Sequence, residues 1–260
     1  MLAYAPNSLM TLGIATLFAG IFLFGGRLAY RPGQRGRRRF LSFAAGISVA
    51  YTFVHILPAL REMGHLAVES PSSFRRMFPE YSVYLWSMAG FLVFYGLETM
   101  MTPPGLEEGT GACDDGRAAP WQQWIHIGGF AVYAWLLAYL MVWADKSALT
   151  LCLYAVAMGM HIVPIAGNLN THYHPAYHRL GASLLAFACL AGWACGIGFD
   201  VPVHFLVNLT ALVAGGVIVN TAIAELPKER EGRFWSFFAG ATVYTALLLT
   251  LSHLEKPGEL

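Results

Sequence analysis

Charge is the scarcest feature of this sequence. Of 260 residues only 12% are Asp, Glu, Lys or Arg, where a soluble globular domain carries roughly a quarter. The 16 basic and 15 acidic residues nearly cancel. A nucleic-acid partner, which needs a concentrated basic face on a soluble module, is therefore not expected. Cysteine is also sparse: Cys113 sits in a polar stretch, while Cys152, Cys189 and Cys195 lie in apolar runs without a C-x-x-C pair. That pattern fits neither a disulfide framework nor a zinc module, and the cysteines read as small hydrophobes. There is no P-loop, no G-x-G-x-x-G after a strand and no Ser/His/Asp set in a shared polar environment, so no enzyme is expected.

What remains is apolar: 57% of the chain is hydrophobic, with a mean hydropathy of +0.53. A bilayer-spanning helix needs about 20 apolar residues. Runs bounded by charge, Pro and Gly predict helices over residues 8–29, 40–60, 81–101, 122–144, 147–168, 178–198, 202–226 and 233–254. The expected fold class is all-α, a polytopic membrane bundle of about eight transmembrane helices forming a single transmembrane domain over 1–260.

The first run is followed, not preceded, by Arg27, Arg31, Arg35, Arg37, Arg38 and Arg39, the reverse of a cleavable signal peptide. The positive-inside rule places that linker in the cytoplasm and both termini outside. Eight crossings then put 11 of 16 basic residues on the cytoplasmic side. Residues 102–121, rich in Pro, Gly and acid, read as a flexible cytoplasmic loop, and 61–80 as a polar outer connection. Thirteen Arg against three Lys fits a GC-rich bacterial genome, and hence a bacterial cytoplasmic (inner) membrane.

The runs are not independent of one another. At one constant offset Ala45-Gly46 falls over Ala214-Gly215, Thr52 over Thr221, Pro58 over Pro227 and Arg61-Glu62 over Arg230-Glu231. Trp86-Ser87 and Ala89-Gly90 echo Trp235-Ser236 and Ala239-Gly240 with one residue of slip. The second and third runs thus look duplicated in the seventh and eighth, with opposite orientation in the bilayer. Inverted repeats of this kind organise secondary transporters around a mid-membrane site.

The segments Phe43–Leu60, Leu212–Glu229 and Met158–Leu169 together resemble the ZIP family of divalent-metal transporters. The resemblance rests on His55-Ile56-Leu57-Pro58 closing the second run and Glu225-Leu226-Pro227 closing the seventh. It implies eight helices, both termini outside, a cytoplasmic loop between helices three and four, and divalent metal-ion transport. The family's paired-metal carboxylates on helices four and five are missing. His161 and Pro164 are present, but Ile165 stands where a Glu would, and the fourth run offers His126 without any acid. The chain therefore reads as a divergent member.

Ionisable side chains inside a bilayer are costly and mark function when they face the bundle interior. His161 lies one turn before Pro164, whose missing amide hydrogen frees a carbonyl near residue 160 for a cation or water; otherwise the imidazole bonds a backbone carbonyl beside a kink. Glu225 shares a helical face with Thr221. Zinc favours neutral imidazole nitrogen and carboxylate oxygen, so His161, Glu225 and His126 form the expected inner-depth metal set. Asn208 either lines a pathway or bonds across helices. His172 and His174 form either a chelating H-x-H pair at the cytoplasmic mouth or an interfacial loop rich in Tyr and His.

Three functions fit these residues. One is a ZIP-like permease for a divalent ion such as zinc or iron. The second is a transport-inactive bundle of the same fold serving as an accessory subunit of a larger membrane complex, or as a homodimer, within the lipid bilayer. The third is a haem protein using His126 with His161, or His55 with His204; the sequence favours a metal-ion substrate over haem.

Overall fold

The computed structural model describes residues 8–29, 35–67, 81–99, 120–143, 147–173, 180–199, 201–222 and 234–255. Helix α1 spans Ser8–Ala29, and α2 spans Arg35–Tyr51. A wide π-type turn at Thr52–Ile56 carries α2 into α3, Leu57–Ala67. There follow α4 Ser82–Thr99, α5 Pro120–Trp143, α6 Ala148–His172, α7 Ala182–Gly198, α8 Val203–Asn220 and α9 Phe234–Glu255. Among the described residues there is no strand.

Among the described residues six helical segments are long and apolar enough to cross a bilayer: Ser8–Gly25, Arg39–Glu62, Trp121–Trp143, Ala148–Thr171, Val203–Asn220 and Phe234–Leu251. Such a chain is an integral membrane protein, since without water in the bilayer core only structures that bond their own backbone groups survive there. Helix α7 is apolar but shorter, and α4 is not among the six.

Several predicted ends move. The fifth run, predicted to pass through Pro164 and end at residue 168, extends one turn further to His172. A proline in a membrane helix is tolerated when neighbouring groups re-satisfy the freed carbonyl. Along the seventh run the α-helix α8 reaches Asn220 and passes into a wide turn at residues 221–222, and residues 223–226 of the predicted span lie outside the described residues. Thr52 and Thr221 each begin a wide turn, and each lies six residues before a proline, Pro58 and Pro227. A proline removes one i→i−4 hydrogen bond and crowds the preceding turn, which the wider helix relieves.

Helix pairing follows small residues rather than hydrophobicity. Helix α9 runs along α2, α4 along α8, α5 along α7, and α1 against both α6 and α7. A Cβ on Gly46 would overlap the Phe237 carbonyl and Ala241 nitrogen, and one on Gly240 the Phe43 carbonyl, so α2 and α9 touch backbone to backbone. In the other pair Gly215 lies against Ser87 and Phe91, and Gly90 against Leu212. Lipid is as apolar as leucine, so membrane helices associate where small residues permit close approach and where polar groups bond across. Large apolar side chains occupy both surfaces accordingly. Phe18, Phe22, Phe130 and Met141 are buried, whereas Phe234, Trp235, Phe238 and Leu249 on α9 are exposed.

Interhelical hydrogen bonds add register. The Tyr154 hydroxyl donates to the Leu137 carbonyl at 3.0 Å, Tyr244 to Leu153 at 2.8 Å, and the Trp193 indole to Thr11 at 3.1 Å.

Candidate polar site within the bundle

His161 is completely buried on α6, and both ring nitrogens face hydroxyls. Nδ1 lies 3.2 Å from Ser48 Oγ on α2, and Nε2 lies 2.9 Å from the Tyr133 hydroxyl on α5. Ser48 Oγ also lies 3.0 Å from Thr221 Oγ1 at the end of α8, and the Thr52 hydroxyl donates to the Ser48 carbonyl at 2.9 Å. Four helices thus meet in one layer of hydroxyls around an imidazole. Each polar group satisfies another, as burial requires. Asn220, beside Thr221, is fully buried with neither side-chain atom hydrogen-bonded among the described residues.

A cavity of about 320 Å³ adjoins this layer. Its lining includes Tyr51, Leu137, Met158 and Val217, each one helical turn from Ser48, Tyr133, His161 and Thr221 respectively, and it continues past His55 and Leu206. The cavity therefore runs along α2, α5, α6 and α8, and its lining ends one helical turn short of the hydroxyl layer. Its walls are chiefly apolar, with Tyr51, His55, Tyr154 and Thr210 as polar members.

On the opposite side of the layer stand aromatic rings. Phe94 meets Tyr133 edge-on with centroids 4.8 Å apart, and Phe130 lies 5.8 Å from Phe94. Beyond them His126, 1% exposed, packs against Phe130 at 4.9 Å and Tyr173 at 5.8 Å. His126 Nε2 lies 3.8 Å from Oε1 of Glu98, which is itself 9% exposed in the last turn of α4. Tyr173, just past the end of α6, has its phenol pushed up to about 12, first by burial and then by the negative charge of Glu98.

The expected metal set is thus rearranged. His161 and His126 both point inward, but Phe130 and Tyr133 stand between them. Asn208 is half-buried on α8, thirteen residues before Thr221, and so about 20 Å along the helix from the hydroxyl layer. Glu225, His174 and the His172 side chain lie outside the described residues, as do the 102–119 loop and residues 68–80. Among the described residues no three His, Cys, Asp or Glu side chains gather in a metal-holding group. Reading the sequence missed Glu98 and Ser48. The signal for Glu98 was available, because it is the one charged residue within its apolar run. The chain matches no protein-family model and no curated protein.

Proposed function

We infer that this integral membrane protein is a permease of the ZIP-like, inverted-repeat kind, with eight crossings and both termini outside, carrying a divalent metal ion such as zinc or iron. The observation that carries this reading is the cavity that follows four helices to within one turn of the Ser48–His161–Tyr133–Thr221 layer. On the expected topology that cavity opens to the outside, and the layer is the closed gate of one side of an alternating-access cycle. The duplication has independent support. Gly46 meets Phe237 and Ala241 as Gly215 meets Ser87 and Phe91, and Gly240 meets Phe43 as Gly90 meets Leu212, in the register that aligns the two sequence pairs.

Purified protein in liposomes loaded with a zinc- or iron-sensitive dye tests the reading. Wild type is expected to admit the ion, and His161→Ala with Glu225→Ala to slow it at least tenfold. Equal flux in the double variant and wild type overturns it.

The second reading, a transport-inactive accessory subunit of the same fold, is favoured by the saturation of both His161 ring nitrogens and by the apolar cavity walls. It predicts no ion entry into the liposomes and co-purification with a membrane protein of another sequence.

A further inference from the structure

The end of the bundle where α4 stops and α5 starts is separated from the cavity by Phe94, Phe130 and Tyr133. There His126 and Glu98 face each other, and neither His126 nitrogen has a hydrogen bond among the described residues. A buried imidazole and carboxylate left to themselves close to the about 2.7–2.9 Å of a charge-assisted hydrogen bond, because a polar atom buried without one carries its full desolvation cost. Their separation is 3.8 Å. Two bonds of about 2.0–2.2 Å to one ion span such a gap at a wide angle, and a tetrahedral centre sets it at about 3.4 Å, a small side-chain movement away.

The surroundings suit a cation. Glu98 sits in the last turn of α4, and Tyr173, against the His126 ring, follows the last turn of α6. Both helices direct their negative ends here, which disfavours a lone carboxylate and favours a positive partner. The neutral Tyr173 phenol adds no competing charge at ordinary pH. One imidazole with one carboxylate matches borderline divalent ions such as zinc or cobalt. With only two side chains the remaining positions belong to water, giving a site that fills and empties, as a transit site must.

The geometry points to a divalent-metal site held by His126 and Glu98 at the α4–α5 end of the bundle. Glu98, from a neighbouring helix, supplies the carboxylate that α5 lacks. The assignment deepens the permease reading by naming a second station for the ion, and rests on that reading only for the ion's passage onward.

Cobalt titration of the purified full-length protein in detergent, followed by visible absorption, tests the site. Wild type is expected to show a d–d band. Glu98→Gln and His126→Gln should each weaken cobalt binding by at least the about 10–100-fold that follows loss of an outer-shell partner, while eluting as wild type on size exclusion. Glu98→His, which exchanges one ligand for another, should keep cobalt with a shifted band, which a mere ion pair would not. No cobalt or zinc bound by wild type, or Glu98→Gln binding as tightly as wild type, overturns the site. Cobalt bound through Glu98 in a protein that admits no ion to liposomes upholds the site and overturns the permease. Ion entry unchanged by Glu98→Gln overturns the site's role as a second station and leaves the permease.

Discussion

The Tyr133 hydroxyl and His161 Nε2 lie 2.9 Å apart, with the histidine sealed completely from solvent and lipid. The contact joins α5 to α6, and Ser48 on the other ring nitrogen joins α6 to α2, so one imidazole ties three helices.

Tyr133→Phe removes the hydroxyl at Nε2 of the buried ring, and Ser48→Ala the one at Nδ1. Interhelical hydrogen bonds in membranes average about 0.6 and reach about 1.7 kcal/mol, and leaving a polar atom unpaired raises the loss toward about 1–3 kcal/mol. Each variant is expected to lose about 1–2 kcal/mol in reversible SDS unfolding. The double variant should fall short of the sum, because both act on the same ring. Strict additivity would show that the two hydroxyls do not share His161.

Gly46→Ala and Gly215→Ala both force a methyl group into the backbone of a neighbouring helix. Overpacking costs about 1–3 kcal/mol and occasionally more. Gly13→Ala and Gly20→Ala, where an added Cβ meets nothing within 4 Å, are expected to be neutral or slightly stabilising. If α2–α9 and α4–α8 are duplicates, the first two variants lower thermal midpoints in detergent by similar amounts. A large loss in one and none in the other would contradict that equivalence.

The phenol of Tyr173 should ionise at about 12 instead of the ordinary 10.0. A phenol whose pKa is raised by folding favours the neutral form in the native state. Its contribution to stability is complete below pH 10 and is lost as pH rises toward 12. The ultraviolet difference between wild type and Tyr173→Phe should show this late titration, and Glu98→Gln should lower its midpoint by removing the nearby charge. An unchanged midpoint in Glu98→Gln would leave burial as the sole cause.

Cys152 is exposed on the outer surface of α6 and Cys189 is buried on α7, both as free thiols. A lipid-soluble maleimide is expected to modify Cys152 in membranes and to spare Cys189 until the protein is denatured. Cys113, in the predicted cytoplasmic loop, should react with an impermeant maleimide in inside-out vesicles and not in right-side-out ones. Reaction in right-side-out vesicles would reverse the proposed topology.

Much of the helical plan was legible in the sequence. Hydropathy is a property of each segment on its own, and a run such as Leu149–Met158 needs no partner to declare itself a membrane helix. The glycines at 46, 90, 215 and 240 were legible as matched positions, but not as the places where backbones touch. The candidate site was legible only in half. His161 and His126 stood out because imidazoles are rare inside apolar runs. Their partners Ser48 and Tyr133 did not, since each is remote in the chain and unremarkable in its own run, while Glu98, the one charged residue of its run, could be noticed but not paired with His126.

The sequence alone determined that this chain enters a bilayer: its apolar runs cannot remain in water, and backbone groups in lipid must bond within their own helix. Only the tertiary structure decided which helices touch and which polar groups meet. Every face of these helices is greasy, so hydrophobicity does not select an interior. That choice falls to the few glycines that allow close contact and to the hydroxyls, imidazoles and carboxylate that need one another.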